Sequence, residues 1–405
     1  MGQIRFIHTA DLHLGSPFTG MKGLQKEQWQ KLKDSTLEAF GRLIEYSIAE
    51  QPDFLLIVGD IYDGEDRSIR AQHHFQQGME RLNQANIPVV ISYGNHDHLS
   101  GKWTRFKLPE NVHVFGPEVS QLELDTASGK VAITGFSYGE RHIKESVINK
   151  YPTAEQSDTI HIGMLHGSME GDTAHAVYAP FAKEQLLSKQ YNYWALGHIH
   201  VRQELHREPF IVYPGNLQGR HRGESGPKGF YDVILSKQET NTTFVPASVI
   251  QFDRLVVSCT GIMHMNELLQ ACKEAAGDFA EQNGAAIVDI HFSGIGVETA
   301  ELFNEVPEPE LLETIQETIG SIEEFVWVHH IAFEETISDF PLSPLGEKII
   351  DVMDGWNSHD WKEVLKDLYR HPKGGRFLDT LDHQAIEEIQ EAAGQKVRRG
   401  MLAEE

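Results

Sequence analysis

The sequence predicts a layered α/β fold, and two observations indicate it. Helix-like stretches near 26–50 and 68–86 separate short apolar runs, and strand–helix–strand alternation favours largely buried strands. Each run ends at a polar turn that carries chemically reactive side chains, and ligands in such folds collect beyond the carboxyl ends of the strands. The runs lie at 4–9, 53–58, 88–93, 160–165 and 193–196.

The segments that follow the first strands and helices predict more strands, then a second small α/β unit and a group of C-terminal helices. Near residue 250 a small α/β unit begins, predicted as strand 252–260, helix 264–281, strand 285–293, helix 308–319 and strand 323–333. A proline-bearing linker and two or three amphipathic helices follow, so we expect domains at 1–250, 251–338 and 339–405. Further strands of the first domain, some of them antiparallel, are expected at 112–116, 130–136, 209–213 and 229–235.

The charge of the chain is unevenly distributed. Residues 1–250 hold 24 basic and 29 acidic residues, a net charge of −5, whereas residues 251–405 hold 11 and 31, a net charge of −20. Phosphate contacts normally come from lysine and arginine, so the acidic second part is a poor binder of nucleic acid. Bound divalent cations would add positive charge to the nearly balanced first part.

Cysteine usage and hydropathy indicate a cytoplasmic protein. The two cysteines, Cys259 and Cys272, are too few and wrongly spaced for a zinc cluster, so we expect reduced thiols. The amino terminus enters a strand-like run at once, without the apolar segment of a signal peptide. No apolar stretch approaches the ~20 residues that span a membrane.

Five short motifs concentrate carboxylate, amide and imidazole side chains directly after strands. In an extended segment residues i and i+2 point the same way, so Asp11 and His13 can hold one ion. Each motif alone has an ordinary alternative, since Asp60 could cap a turn and a lone His166 is more often structural than a ligand. All five in this order are far more specific. They read Asp11-Leu-His13, Gly59-Asp60-Ile-Tyr-Asp63, Gly94-Asn95-His96-Asp97, His166-Gly-Ser and Gly197-His198-Ile-His200.

The combined donor set indicates a two-metal centre. It offers oxygen and nitrogen ligands without thiolate, which suits Mn²⁺, Fe²⁺ or Zn²⁺ more than Ca²⁺. Asp60 can bridge two cations with its two carboxylate oxygens, and two sets of histidines fit ions about 3.5–4 Å apart. We expect two divalent metal ions, with manganese favoured and iron or zinc as alternatives.

These motifs resemble the calcineurin-like metallophosphoesterase superfamily. The Ala-Asp-Leu-His-Leu-Gly opening and the appended small domain are similar to SbcD-type DNA repair exonucleases, over about residues 9–335. The resemblance implies a four-layer α/β/β/α metallophosphoesterase sandwich with a small α/β capping domain and a helical C-terminal tail. It also assigns the ligands: Asp11, His13, Asp60 and His200 to one metal, and Asp60, Asn95, His166 and His198 to the other.

The resemblance further implies phosphodiester hydrolysis by a hydroxide that two metals activate. It makes His96 the residue that faces the scissile phosphate. Some family branches have histidine at the position of Asp63, and the aspartate here leaves an Asp63–His96 pair. We expect Asp63 to keep His96 cationic, so that the imidazole protonates or stabilises the leaving oxygen.

A basic loop follows the strand expected at 209–213 and could line the mouth of the site. Its cationic side chains, Arg220, Arg222 and Lys228, are predicted phosphate contacts. The alternative is a solvated surface loop without a binding role.

The predicted function is a metal-dependent DNA exonuclease that acts in DNA repair. By resemblance, the last helices bind an SMC-like, SbcC-type coiled-coil ATPase, with packing on the body of the protein as the alternative, and the protein forms a homodimer. Two alternatives stay open: a metallophosphoesterase acting on a small molecule, nucleotide or phosphoprotein, and a scaffold that recruits an ATPase. The domain after residue 250 favours the nuclease, and the complete ligand series argues against a scaffold alone.

Overall fold

The computed structural model describes most of the chain. Its two compact units comprise Met1–Asp253 with Asn283–Ile287, and Arg254–Gln282 with Val288–Glu405. The described residues are 2–18, 21, 23–64, 68–101, 106–155, 158–170, 178–333, 343–371, 381 and 383–401.

Among its described residues, the first unit contains two six-stranded sheets and three α-helices. Its strands are β1 (Ile4–Ala10), β2 (Phe54–Val58), β3 (Val89–Ser92), β4 (Val112–Val114), β5 (Ser120–Thr126), β6 (Gly129–Gly135), β7 (Ile160–His166), β8 (Tyr193–Gly197), β9 (Gln203–Arg207), β10 (Phe210–Tyr213), β11 (Gly229–Leu235) and β12 (Thr240–Pro246). Its helices are α1 (Lys26–Glu50), α2 (Ile69–Gln84) and α3 (Lys183–Ser188), with a 3-10 turn at Ile148–Lys150.

The strand order is β12-β11-β1-β2-β3-β4 in sheet I and β5-β6-β7-β8-β10-β9 in sheet II. Strands β1 to β4 are parallel, as are β6, β7, β8 and β10. The outer strands of the two sheets pair antiparallel, except for β4. Parallel strands in the middle of each sheet bring their carboxyl ends to the same edge.

Alternating side chains show how the layers are stacked. On β8, Tyr193 points between the sheets and meets Phe6 of β1 at 5.1 Å between ring centroids. Its neighbour Trp194 points outward and packs on Tyr151 near the 3-10 turn. On the far side, Tyr46 of α1 lies 5.2 Å from Phe230 of β11. Helices therefore cover the outer face of each sheet, and the predicted four-layer α/β/β/α sandwich is confirmed.

The second unit centres on a three-stranded sheet in the order β13-β14-β15. Its last helices form a small apolar core of their own, in which Met353, Trp361 and Ile386 are buried. The strands are β13 (Gln251–Ser258), β14 (Ala286–Ser293) and β15 (Val326–Phe333). The helices are α4 (Met265–Asn283), α5 (Val297–Glu305), α6 (Glu308–Ile319), α7 (Pro344–Asp354), α8 (Ser358–Tyr369) and α9 (His383–Gly400).

The domain boundaries stay predictions. The change of unit falls after Asp253, whereas the sequence places a boundary after residue 250. The predicted start of the third domain at 339 lies outside the described residues. Within the part of the chain that the structure describes, no helix is both long and apolar enough to cross a bilayer.

Leu56 tests the packing between the sheets, because it is fully buried in their shared core. We expect Leu56→Ala to lower the free energy of unfolding by about 2–5 kcal/mol through lost apolar contacts and a cavity. Ile69→Ala is the control, since Ile69 is 66% exposed, and we expect a change within ~0.5 kcal/mol. Urea denaturation measures both. Equal shifts for the two variants would contradict this account of the core.

Candidate metal centre

The polar turns of both sheets meet at one end of the first unit. Asp11 follows β1 and Asp60 follows β2, whose parallel register ends with Ala10 opposite Val58. In sheet II, His166 is the last residue of β7 and lies opposite Gly197 of β8. Since the sheets face each other, their carboxyl ends bring side chains from five motifs to one place.

Three groups of three donor side chains form there among the described residues, and one of them consists of His13, Asp63 and His96. Within each group, one donor atom from every side chain lies within 4.8 Å of the other two. Nε2 of His13 and Nε2 of His200 are only 3.1 Å apart, so both nitrogens face the same small space. The first donor group is Asp11, His13 and His200, and the second donor group is Asp60, His166 and His198.

Asp60 belongs to the second donor group and also lies close to the first. Its Oδ2 is 3.4 Å from Nε2 of His166 and 3.9 Å from Nε2 of His13. Asn95 joins the second group, because its Oδ1 is 3.0 Å from Nε2 of His166. All seven predicted ligands are thus brought together, and Asp60 reaches both groups as a bridging ligand must. Their assignment to individual metals stays a prediction.

Several of these side chains are oriented by a left-handed backbone conformation at their own residues. Asp11, His13, Asp60 and His198 have φ values of 50°, 42°, 49° and 101°. A left-handed conformation costs a residue other than glycine about 1–3 kcal/mol, and such strain persists where the surroundings enforce it. Here the N–H of His13 donates to the carbonyl of Asp60 at 2.9 Å, which ties the two strained turns together.

Gly94 leaves space that two ligands occupy. A Cβ at this position would overlap Oδ1 of Asp60 and lie 2.7 Å from Nε2 of His166. The N–H of Gly94 donates to the buried carboxylate of Asp97 at 2.6 Å, so the turn cannot easily move away. The glycine is therefore required by close approach rather than by a positive φ.

The electrostatics of the centre favour a bound cation. Burial raises the pKa of Asp11 to about 6, against the opposing effect of His166 and His200. Burial also disfavours charge on Asp60, but His166, His13 and His96 together hold the pKa of Asp60 well below its usual range. Burial would lower the pKa of His166, yet Asp60 and Asp11 raise it to about 9. Without a bound cation, a proton on His166 would supply the positive charge that the carboxylates need.

The residues present fit divalent metal ions. Among the described residues, neither Asp11 nor Asp60 has a lysine or arginine within 4.0 Å, although both are buried. Buried charges are normally paired or coordinate a metal. Carboxylate, amide and imidazole donors without thiolate suit Mn²⁺, Fe²⁺ or Zn²⁺. The two donor groups can therefore bind metal.

The predicted Asp63–His96 pair lies beside the first donor group. Nδ1 of His96 is 3.7 Å from Oδ1 of Asp63, and it accepts a hydrogen bond from the N–H of Gly64 at 3.3 Å. Asp63 accepts a hydrogen bond from Oγ of Ser16 at 2.9 Å. Burial lowers the pKa of His96, and Asp60 and Asp63 offset this only in part. The two side chains are adjacent, but Nδ1 of His96 acts as an acceptor.

The three predicted phosphate contacts occupy different places. NH1 of Arg220 is 3.6 Å from Oδ1 of Asp63, so this guanidinium lies at the centre. Arg222 is exposed on the surface of the loop. Lys228 is buried, its ammonium donates to the carbonyl of His200 at 3.1 Å, and burial lowers its pKa.

Sequence reasoning missed Glu224, a buried carboxylate behind the first donor group. Its Oε1 lies 2.7 Å from Nδ1 of His200. The side chains of Asn216 and Arg220 also donate to it, at 2.7 and 3.2 Å. Glu224 follows no strand directly and stands in a Gly-rich turn, so its only signal was the unusual charge density of the loop.

The fold and the centre together define a class of protein, the dinuclear metallohydrolases. Residues 4–202 match the family of calcineurin-like phosphoesterases. The chain is 34% identical over 396 residues to an uncharacterized metallophosphoesterase, YhaO of Bacillus subtilis (strain 168), with 96% of each chain covered. The chain belongs to the calcineurin-like phosphoesterase family and is a metal-dependent phosphoester hydrolase.

Two more distant relatives are named for DNA metabolism. Over 278 residues the chain is 25% identical to the SbcD component of the nuclease SbcCD of Staphylococcus epidermidis, covering 60% of this chain and 69% of that protein. Over 233 residues it is 24% identical to the DNA double-strand break repair protein Mre11 of Thermoplasma acidophilum, covering 54% and 57%. Both matches extend over only part of this chain.

Gly94→Ala tests the geometry of the centre. The added Cβ meets Asp60 and His166, so we expect the variant to lose at least one bound metal ion while it remains folded. Gly116→Ala is the matched control, because a Cβ there meets no atom within 4 Å. Metal analysis after gel filtration in excess Mn²⁺ measures both variants. Equal metal content would show that the packing around Gly94 is not needed for binding.

Proposed function

We propose that this chain is a metal-dependent DNA exonuclease that acts in DNA repair. One observation carries the proposal: the centre is closed on the inner side by buried ligands and open on the side of His96, Asp63 and Arg220. Their side chains are 30%, 19% and 15% exposed, whereas those of Asp11, His13 and His166 are at most 1% exposed. A phosphodiester that reaches the centre would meet these three side chains and His200, whose side chain is 23% exposed.

The open side of the centre carries the positive charge that binding of a phosphodiester requires. The side chain of Arg220 reaches it, and Arg222 extends the cationic character of the same loop onto the surface. Phosphate contacts of this kind position a strand without reading its sequence. Lys228 would act indirectly, since its ammonium holds the carbonyl of His200.

The proposed ligands would hold two divalent ions, which supply positive charge for the phosphoryl oxygens and acidify an attacking water. Asp11, His13 and His200 would hold one ion, Asn95, His166 and His198 would hold the other, and Asp60 would contribute to both. The surrounding backbone fixes these side chains before substrate arrives, so little rearrangement is needed during the reaction.

His96 would donate a hydrogen bond to the leaving oxygen. The N–H of Gly64 points at Nδ1 of His96, so the neutral imidazole carries its proton on Nε2. Asp63 would fix the neighbouring groups rather than hold His96 directly, because Nδ1 of His96 accepts from Gly64. Nδ1 of His13 and NH1 of Arg220 both lie 3.6 Å from Oδ1 of Asp63. General acid and hydrogen-bond assistance of this kind contributes about 10²–10⁴-fold to rate.

The alternative is a phosphoesterase for small molecules, nucleotides or phosphoproteins, which would use the same centre. Digestion of 5′- and 3′-labelled single- and double-stranded DNA with Mn²⁺ separates the two functions. We expect mononucleotides to be released from linear DNA, and the position of the label then gives the polarity. Hydrolysis of bis-p-nitrophenyl phosphate with intact DNA in every lane would overturn the nuclease proposal and leave the phosphoesterase.

His96→Asn tests the proposed acid. We expect about 10²–10⁴-fold slower hydrolysis, because the donor to the leaving oxygen is lost, with an unchanged number of bound metal ions. His264→Asn is the control, since His264 is an exposed histidine of the second unit. Single-turnover rates and metal analysis are measured on the same samples. Near-normal hydrolysis by His96→Asn would contradict the role.

A second proposed activity, docking of an SMC-like coiled-coil ATPase, is supported by the helices of the second unit. Among the described residues, α7 exposes Leu345 and Val352, and α8 exposes Val364 and Leu368, each more than half exposed. Exposed apolar side chains grouped on neighbouring helices are typical of protein contact sites. The predicted homodimer stays a prediction.

The double variant Val364→Asp, Leu368→Asp tests this docking surface. Two charges on α8 should abolish co-purification with a co-expressed coiled-coil ATPase of the same genome, because desolvating them at an interface is costly. Met263→Asp is the control, at a residue of the same unit that is 55% exposed. Retention of the ATPase by the double variant would exclude α8 as the contact.

A further inference from the structure

Glu224 is the most heavily bonded carboxylate described near the centre. Its side chain is only 4% exposed. Oε2 accepts from Nδ2 of Asn216 at 2.7 Å and from the N–H of Arg220 at 2.8 Å. Oε1 lies 2.7 Å from Nδ1 of His200 and 3.2 Å from NH2 of Arg220. Both oxygens are therefore satisfied, and one of them faces a proposed metal ligand.

These contacts determine which nitrogen of His200 carries a proton. NH2 of Arg220 also lies 3.0 Å from Nδ1 of His200, and it could donate there only if that nitrogen had no proton. The contact of Nδ1 with Glu224 is shorter, and a carboxylate can only accept. The proton therefore resides on Nδ1, and Arg220 donates to Glu224 instead. Nε2 of His200 keeps its lone pair and faces Asp11 and His13, the other members of the first donor group.

The main chain of His200 is held from the same loop. Its carbonyl accepts from the ammonium of Lys228 at 3.1 Å and from the N–H of Asn216 at 3.2 Å. The loop that carries Asn216, Glu224 and Lys228 therefore fixes both the imidazole ring and the backbone of His200, although it supplies no proposed metal ligand. Among the described ligands, Glu224 contacts His200 of the first donor group, whereas the ring of His166 in the second donor group contacts Val58 and Asn95.

We propose that Glu224 is a positioning residue for one metal of the pair: it fixes the tautomer and orientation of His200 and sets Arg220 beside the open side of the centre. Carboxylate partners of metal-binding histidines raise the basicity of the ligand and lock its ring. The inference rests on the proposed ligand role of His200. It does not depend on DNA as the substrate.

A purely structural role for Glu224 predicts a different result. If the carboxylate only closed the loop, its loss would lower stability without distinguishing between the two metals. If Glu224 positions His200, its removal weakens binding of the metal that His200 holds. Binding of the metal held by Asn95, His166 and His198 is then unchanged. The two roles are separated by metal affinity, which is read without any substrate.

Calorimetric titration of the 405-residue chain with Mn²⁺, after metal has been removed with a chelator, tests the proposal. We expect two binding steps in the parent chain and loss of one step in His200→Asn. Glu224→Gln should weaken that same step about 10- to 100-fold and leave the other unchanged. Glu208→Gln, at an exposed carboxylate of the same unit, should match the parent chain. Should Glu224→Gln fail to fold, Glu224→Asp replaces it, since it keeps the charge but withdraws it from Nδ1.

The double variant Glu224→Gln, His200→Asn completes the test. If Glu224 acts through His200, the double variant binds Mn²⁺ like His200→Asn alone. Unchanged affinities in Glu224→Gln, or a further loss in the double variant, would overturn the positioning role. A parent chain with two steps that His200→Asn leaves intact would instead overturn the ligand assignment, and the inference with it. DNA digestion by the parent chain is scored separately, so failure of the nuclease proposal remains distinguishable.

Discussion

Two carboxylates buried side by side, Asp11 and Asp60, are the constraint on which the centre depends. They lie at the carboxyl ends of adjacent parallel strands, and among the described residues no lysine or arginine lies within 4.0 Å of either. Burial without a compensating charge would be costly. Against the effect of burial, the two carboxylates raise the pKa of His166 to about 9, so a proton on this imidazole could supply part of that charge. Divalent ions at the same place would remove the need for that proton.

Several residues around the two carboxylates adopt strained backbone conformations that bring the proposed ligands together. Left-handed backbone at Asp11, His13 and Asp60 turns the chain sharply after the strands, and Gly94 permits side chains from both sheets to meet. Behind the ligands, the loop that carries Glu224 ties His200 and Arg220 to one carboxylate. Stability lost in the turns is offset by the apolar core between the sheets, so the rigid sandwich holds a preorganised centre.

The centre was largely predictable from the sequence, whereas its supports were not. Parallel strands must end at one edge, so motifs directly after apolar runs located all seven proposed ligands in order. Glu224 was missed because it reaches His200 through tertiary structure. Strands β5, β9 and β12 were missed for another reason: each lies at a sheet edge, pairs with one neighbour and has mostly polar, partly exposed side chains. The short helix α3 and the helix α5 were missed too. The acceptor role of Nδ1 of His96 was also not predictable, because it depends on the backbone N–H of Gly64, which no side-chain pattern encodes.

Crystals grown with Mn²⁺ can show whether one centre holds two divalent ions with Asp60 between them. Anomalous scattering from these crystals locates the ions. We expect two peaks about 3.5–4 Å apart, both in contact with the carboxylate of Asp60, one beside His13 and His200 and one beside His166 and His198. A single peak, or a second peak away from Asn95, His166 and His198, would contradict this expectation.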